Sequence, residues 1–319
     1  MMKGMTENKK PNTQGTAVPK KKRKVNRDAR VAAVLLGPLL FWWIVMSGFP
    51  IGFGISLGFM NWRGVISAPT FAGLDNFIYF FRNPIYYESL FRAIWLGGVC
   101  MILTMVLSFI VALFLTKIPK LKGLFRTMWY VPAVTSVAAM GQIFLLLLDS
   151  ENGAFNKLLE SVGLGIINVD ESLGAAIGVI IFYSVWKGIG GSMLLWIAGL
   201  QAIDRAQYEA ASLDGAGAWQ QFVHVTLPGL KPFITYAVIT GAIGAVQIYE
   251  QVSFLTGGGP LGGTQTTVFL IMTDAFSDYD FGMAGASSLI MAVIVFIFAF
   301  FYLRRQRESV KSIMKKGKR

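Results

Sequence analysis

Residues 173–203 read LGAAIGVIIFYSVWKGIGGSMLLWIAGLQAI, and 204–219 continue as DRAQYEAASLDGAGAW. The first stretch carries one charge, Lys187, in a run longer than the ~20 apolar residues that cross a bilayer. The second is too polar to enter lipid. Asp204 suits the N-cap of a short helix, the residues after it are good helix formers, and Gly215 and Gly217 end it. A second short helix is expected from about Trp219, stopped by Pro228. A membrane span that hands over to a projecting helix–glycine–helix unit sets the frame for the rest of the chain.

Outward from there, further uncharged stretches qualify as spans: Val31–Trp62 (interrupted by Pro38 and Pro50), Ala93–Thr116, Thr127–Leu148, Pro232–Tyr249 and Phe281–Leu303. The expectation is an all-α integral membrane protein of six spans. Residues 251–273 are also uncharged, but Gly257-Gly258-Gly259-Pro260 and Gly262-Gly263 make them a poor helix, assigned to an outer loop or re-entrant turn. Hydrophobic residues make up 54% of the 319, and charged residues only 14%. A soluble domain carries roughly 25% charge, so lipid must replace water around this chain.

Six spans place both termini on one side. That side holds ten Lys/Arg in 1–30, eight in 304–319, the cluster Lys117, Lys120, Lys122 and Arg126, and Arg205 and Lys231 in the loop 204–232. The opposite loops carry only Arg63, Arg82 and Lys157 among ten Asp/Glu. The positive-inside rule then makes both termini cytoplasmic. Residues 1–30 read as a disordered basic tail, 31–303 as the transmembrane domain and 304–319 as a second basic tail. The run from Val31 is too long for a signal peptide and reads as a retained span.

The net charge of +12 does not signal a nucleic-acid partner, because the cations lie in tails beside apolar runs. Pro19-Lys20-Lys21-Lys22-Arg23-Lys24-Val25 resembles a nuclear localisation signal, but a basic cluster just before a span reads as a topology determinant. The single cysteine, Cys100, and the single histidine, His224, exclude an intrachain disulfide and metal sites built of several cysteines or histidines. Gly-x4-Gly-Lys-Ser/Thr is absent from the sequence, so the chain is expected to be no ATP-hydrolysing enzyme by itself.

Glu209-Ala210-Ala211-x3-Gly215, followed by x9, Val225, x, Leu227-Pro228, resembles the EAA motif of ABC importer permeases. Trp186-Lys187-x-x-Gly190, Leu200-Gln201-x-Ile203, Leu255-Thr256-Gly257-Gly258-Gly259-Pro260-x3-Thr264 and Phe71-Ala72-Gly73-Leu74-Asp75-Asn76-Phe77 fit the MalF-like sugar-importer permeases. The resemblance covers about 31–304. It implies a six-helix type I importer permease with a cytoplasmic coupling helix, in a bacterial inner membrane. It also implies a second permease subunit, as a heterodimer, two ATP-binding cassette subunits holding ATP and Mg, and an extracytoplasmic solute-binding protein. Tyr208, Glu209, Ala210, Ala211, Leu213, Asp214 and Gly215 would couple to the ATPase: Glu209 bonds its surface, Gly215 permits the turn, and Tyr208, Ala211 and Leu213 offer a docking face.

Ionisable and polar residues at membrane depth mark a path for solute. Tyr183, Trp186 and Lys187 on one span, and Gln247, Tyr249, Glu250 and Gln251 at the end of the next, suit a carbohydrate through hydrogen bonds and ring faces. Gly188 and Gly191 would let a bulky ligand approach. Lys187 could instead snorkel or pair with Glu250, and Arg92 reads as an interface anchor. The alternatives are an ABC permease for a non-sugar solute, an ion-coupled secondary transporter, and a membrane adaptor. The secondary transporter would need internal repeats and buried carboxylates.

Overall fold

The computed structural model describes the backbone of residues 25–64, 67–117 and 122–316, and the side chains of 31–64, 67–116 and 122–305. The basic run 19–24 and Lys120 lie outside the described residues. The chain divides into two units, Met1–Gly52 and Phe53–Arg319.

The first apolar run, Val31–Leu57, is helical throughout. Helix α1 (Val25–Trp43) passes through Pro38, and a π-helical turn (Ile44–Gly48) joins it to α2 (Phe49–Leu57). Phe49 N–H reaches back to the Ile44 carbonyl, which widens the turn just before Pro50, whose ring would crowd an ordinary α-turn. A short antiparallel pair follows, β1 (Met60–Asn61) with β2 (Thr70–Phe71), in the register Met60–Phe71. Asn76 in α3 (Asp75–Arg82) ties it down, donating to the carbonyls of Met60 (2.8 Å) and Gly58 (3.1 Å).

Helix α4 (Pro84–Lys117) starts nine residues ahead of the expected Ala93, with proline at its first position, where a missing N–H costs nothing. The third apolar run is broken rather than straight: α5 (Lys122–Val134) and α6 (Val137–Leu147) meet at 94°. A short α7 (Ala154–Ser161) returns the chain to α8 (Leu173–Gln201), one unbroken helix capped by the Ser172 side chain. The polar loop holds α9 (Arg205–Leu213), α10 (Ala218–Gln221), a π-helical turn (Phe222–Thr226) and α11 (Leu227–Gly229). Helix α12 (Lys231–Val246) leaves it with a 64° bend.

The stretch 251–273 departs from the sequence expectation. It contains α13 (Glu250–Leu255) and most of α14 (Thr267–Phe276), with only the glycine-rich segment between them irregular. Finally α15 (Phe281–Lys316) continues past the boundary expected at Leu303. Among the described residues, four helices are long and apolar enough to cross a membrane, or up to six if each bent pair counts as one span.

Helix α8 is the hub of the second unit. Its face around Ile180 and Tyr183 packs with Leu96, Val252 and Leu255, and its face around Met193 and Trp196 packs with Ala112 and Ala237. Trp196 donates to Ser108 on α4 at 2.9 Å, a buried hydrogen bond between helices. Helices α4 and α12 touch backbone to backbone, since a Cβ on Gly97 would collide with the Ala245 carbonyl oxygen.

Candidate coupling loop and transport path

The loop after α8 is built by local chemistry. Asp204 caps α9 by accepting from Ala206 N–H at 3.0 Å. Gly215 ends it with φ +77°, a backbone state that side chains with a Cβ resist. Gln221 ties the two short helices together, donating to Ser212 Oγ (2.9 Å) and to the Ala216 carbonyl (3.0 Å). The stop expected at Pro228 comes one residue later, at Gly229, where the chain bends into α12. The π-helical turn at 222–226 relieves the crowding, so Pro228 falls in the first turn of α11 and the helix runs on to Gly229.

Of the expected docking residues, Leu213 is 90% exposed. Glu209, Ala210, Asp214 and Gly215 are also exposed, while Ala211 is half-buried. Tyr208 is turned inward: its hydroxyl is 2.9 Å from Thr226 Oγ1, a buried group, so it braces the loop and does not present its hydroxyl to solvent. Trp219, which the motif does not include, is 73% exposed and lies against Phe222, the ring centroids 5.5 Å apart and the planes tilted by 32°. A tryptophan after Gly-x-Gly in a polar loop was the available signal for it.

The loop is anchored to the bundle at its far end. Leu230 is fully buried. A Cβ on Gly199 would lie 2.7 Å from its Cδ2 atom, and one on Gly229 would lie 2.8 Å from Ile203. The exit of the loop therefore clamps the C-terminal end of α8.

The residues expected along the path separate into two groups. A cavity of about 560 Å3 lies between α4, α8 and α12, lined by Lys187, Gly188 and Gly191 with Ser184, Thr240 and Gln251. A second, of about 820 Å3, is lined by Gln247, Tyr249, Glu250 and Gln251 together with residues of α14 and α15. Gln251 borders both.

Several individual expectations are corrected. Tyr183 is fully buried and meets Phe144 edge-on at 5.3 Å, so it is core and lines neither cavity. Trp186 is half-buried against the Phe144 and Tyr183 rings at 5.8 and 6.2 Å. Lys187 neither snorkels nor pairs with Glu250. Its ammonium donates to the carbonyls of Thr135 (2.6 Å), Pro132 (3.2 Å) and Ala133 (3.5 Å). These lie at the end of α5, where the bend leaves carbonyls without helical partners and where the helix dipole favours a cation. Gly188 serves packing, since a Cβ there would sit 2.9 Å from Thr104 Cγ2, whereas nothing lies within 4 Å at Gly191. Arg92 is a clamp: it donates to the carbonyls of Gly262 (2.8 Å) and Gln265 (3.0 Å) and pairs with Glu88 (2.8 Å). It thereby holds the glycine-rich segment, which Thr256 and Thr264 also brace through a 2.8 Å contact.

Among the described residues, no group of three or more His, Cys, Asp or Glu is placed to hold a metal.

No protein-family profile matches the chain. Curated relatives do. The trehalose/maltose transport system permease protein MalF of Thermococcus litoralis is 31% identical over 87% of this chain and 94% of its own length. The lactose transport system permease protein LacF of Rhizobium radiobacter is 31% identical over 82% and 89%. The probable ABC transporter permease protein YurN of Bacillus subtilis is 29% identical over 85% and 94%. Among solved structures, a bacterial ABC transporter involved in the import of the acidic polysaccharide alginate contains a chain that superposes with a TM-score of 0.77. It covers 89% of this chain and 97% of that one at 20% identity, a likeness of fold.

Proposed function

The chain belongs to the permease subunits of sugar ABC transporters, and on that premise we propose that it moves a carbohydrate, delivered by a solute-binding protein, across a bacterial inner membrane with both termini cytoplasmic. A second permease subunit completes the path. Two ATPase subunits hold ATP and Mg2+ and dock on the loop 204–230.

The observation that carries this reading is mechanical. The loop presents Glu209, Leu213 and Trp219 outward, and its exit is locked to α8 through Leu230 and Gly229. Helices α8 and α12, which flank the loop, also line the cavity of about 560 Å3. A displacement imposed on α9 by a closing ATPase dimer is therefore passed to both walls of that cavity as a rigid-body movement.

On the substrate side, Gln247, Tyr249, Glu250 and Gln251 present amide, hydroxyl and carboxylate groups to one space. Such groups satisfy sugar hydroxyls in a medium where an unpaired polar group is costly. The cavity with Lys187 contributes Ser184, Thr240 and the open Gly191 position. The lysine ammonium is hydrogen-bonded to the carbonyls at the end of α5, and it keeps its charge at the edge of this cavity. Relatives that carry trehalose, maltose or lactose in their names support a mono- or oligosaccharide over a non-sugar solute. Family membership argues against an ion-coupled secondary transporter.

The test is ATP hydrolysis by the co-purified complex in lipid, with and without its binding protein. Wild type is compared with Glu209→Ala and Gly215→Pro. Collapse of the stimulated rate, with the membrane bundle still assembled, is the expected result. A rate indifferent to both changes removes the coupling role from this loop.

A further inference from the structure

Helix α8 has two faces of opposite character. Gly178 and Lys187 are nine residues apart, or two and a half turns at ~3.6 residues per turn, and so point in opposite directions. The Lys187 side borders the polar cavity already described. On the Gly178 side lies a groove of about 580 Å3 lined by apolar residues, among them Phe144 and Leu147 of α6, Phe155 of α7, Ile166 of the connection, Gly178 and Phe182 of α8.

Three observations say what covers it. First, the groove is at the end of α8 away from the loop 204–230, walled on one side by the short helix α7. Along α7 and its C-cap residue Val162, Phe155, Leu158, Leu159 and Val162 follow an i, i+3, i+4, i+7 spacing. Phe155, Leu158 and Val162 stay 43%, 59% and 64% exposed, as in a helix seated in a bilayer interface. Second, α7 is held there firmly. The buried Asn156 donates to the carbonyls of Leu148 (2.8 Å), Ile167 (3.0 Å) and Asp149 (3.2 Å) and accepts from Ile167 N–H (2.9 Å). Third, Gly178 sits inside a long helix, where glycine costs about 1 kcal/mol against alanine. Nothing lies within 4 Å of a Cβ built on it, so no neighbouring helix demands its smallness. Its effect is to leave the groove open.

We propose that this groove binds one acyl chain of a phospholipid from the leaflet opposite the loop 204–230. At that depth the surrounding medium is hydrocarbon, and a concave apolar surface there is filled by a lipid tail rather than by water. The segments flanking the groove carry Asp149, Glu151, Glu160, Asp170 and Glu171 against a single Lys157. That rim disfavours an anionic headgroup and favours a zwitterionic one with an ammonium. The site does not depend on the transport reading.

The experiment uses the assembled complex in nanodiscs containing phosphatidylethanolamine or phosphatidylglycerol with a photoactivatable diazirine in the tail. Adducts are mapped by mass spectrometry. Adducts concentrated on the peptides of Phe144, Phe155 and Phe182, stronger for phosphatidylethanolamine, are expected. Gly178→Leu, whose Cβ would meet nothing within 4 Å, projects a side chain into the groove and should lower this labelling several-fold. Phe155→Ala removes a wall supplied by a different helix and should lower it as well, should the first variant fail to assemble. Labelling unchanged in the variants, spread evenly over α1 and α15, equal for the two headgroups, or replaced by cross-links to a peptide of another subunit overturns the proposal.

Discussion

The Lys187 ammonium lies 2.6 Å from the Thr135 carbonyl oxygen, across 52 residues of sequence. A charge that stands out as a solute-contacting group is committed instead to the end of a broken helix.

Lys187→Met should therefore act on stability before it acts on transport. It removes the donor shared by three carbonyls at the α5–α6 bend. A buried acceptor left unmade costs about 1–3 kcal/mol. A lower thermal midpoint for the purified complex, partly rescued by Lys187→Arg, is the expected outcome. Unchanged stability with lost uptake would return Lys187 to the substrate path.

Gly97 and its neighbour Gly98 make an internal comparison. A Cβ on Gly97 collides with the Ala245 carbonyl, while one on Gly98 meets nothing within 4 Å. Gly97→Ala should cost about 1–3 kcal/mol by prising α4 from α12. Gly98→Ala should be neutral or stabilising by about 0.5–1 kcal/mol, as alanine favours helix. Paired thermal melts decide it. Equal midpoints would mean that the two helices are not in backbone contact.

Leu213 and Trp219 are the large apolar groups that the loop 204–230 exposes most. Replacing both by serine should leave the permease folded but weaken ATPase retention about tenfold or more, since buried aromatic and aliphatic anchors dominate such interfaces. Pull-down of the ATPase at graded concentration measures it. Full retention would place docking on another surface.

Asp274 in α14 is buried, accepts from the Tyr86 hydroxyl at 3.0 Å, and leaves its second oxygen without a partner. Burial pushes its carboxyl up to about 6, against an ordinary 3.8. The folded state thus binds the proton more tightly than the unfolded state. The stabilisation is fully present below the ordinary value and is lost as pH rises through about 6. Asp274→Asn should flatten the pH–stability curve between about 4 and 6 and be the more stable protein at neutral pH. A wild-type curve that rises over that range would contradict the burial.

The long apolar helices were legible because an apolar run of sufficient length has one solution in a membrane, and the polar loop because its caps and glycines are local signals. Three features were not legible, for one reason: each depends on distant chain. The use of Lys187 depends on carbonyls 52–55 residues away. Gly188 and Gly191 look alike in sequence, and only the position of Thr104 on α4 distinguishes them. Tyr183 has the chemistry of a sugar-binding ring, but Phe144 on α6 takes its edge. Residues 251–273 failed differently: the glycines dominate the local reading, although α13 and α14 on either side carry ordinary helical sequence.

Helix α8 is unbroken over 29 residues, or about 43 Å at ~1.5 Å per residue, while the third run and the entry to α12 are both bent. A straight rod cannot absorb a tilt along its length, whereas a bent neighbour can flex at its joint. A push at the Gln201 end would therefore be carried to the Leu173 end with little loss along the helix. The bilayer patch against Gly178 would feel each stroke, and the stiffness of that patch becomes one of the loads on the cycle.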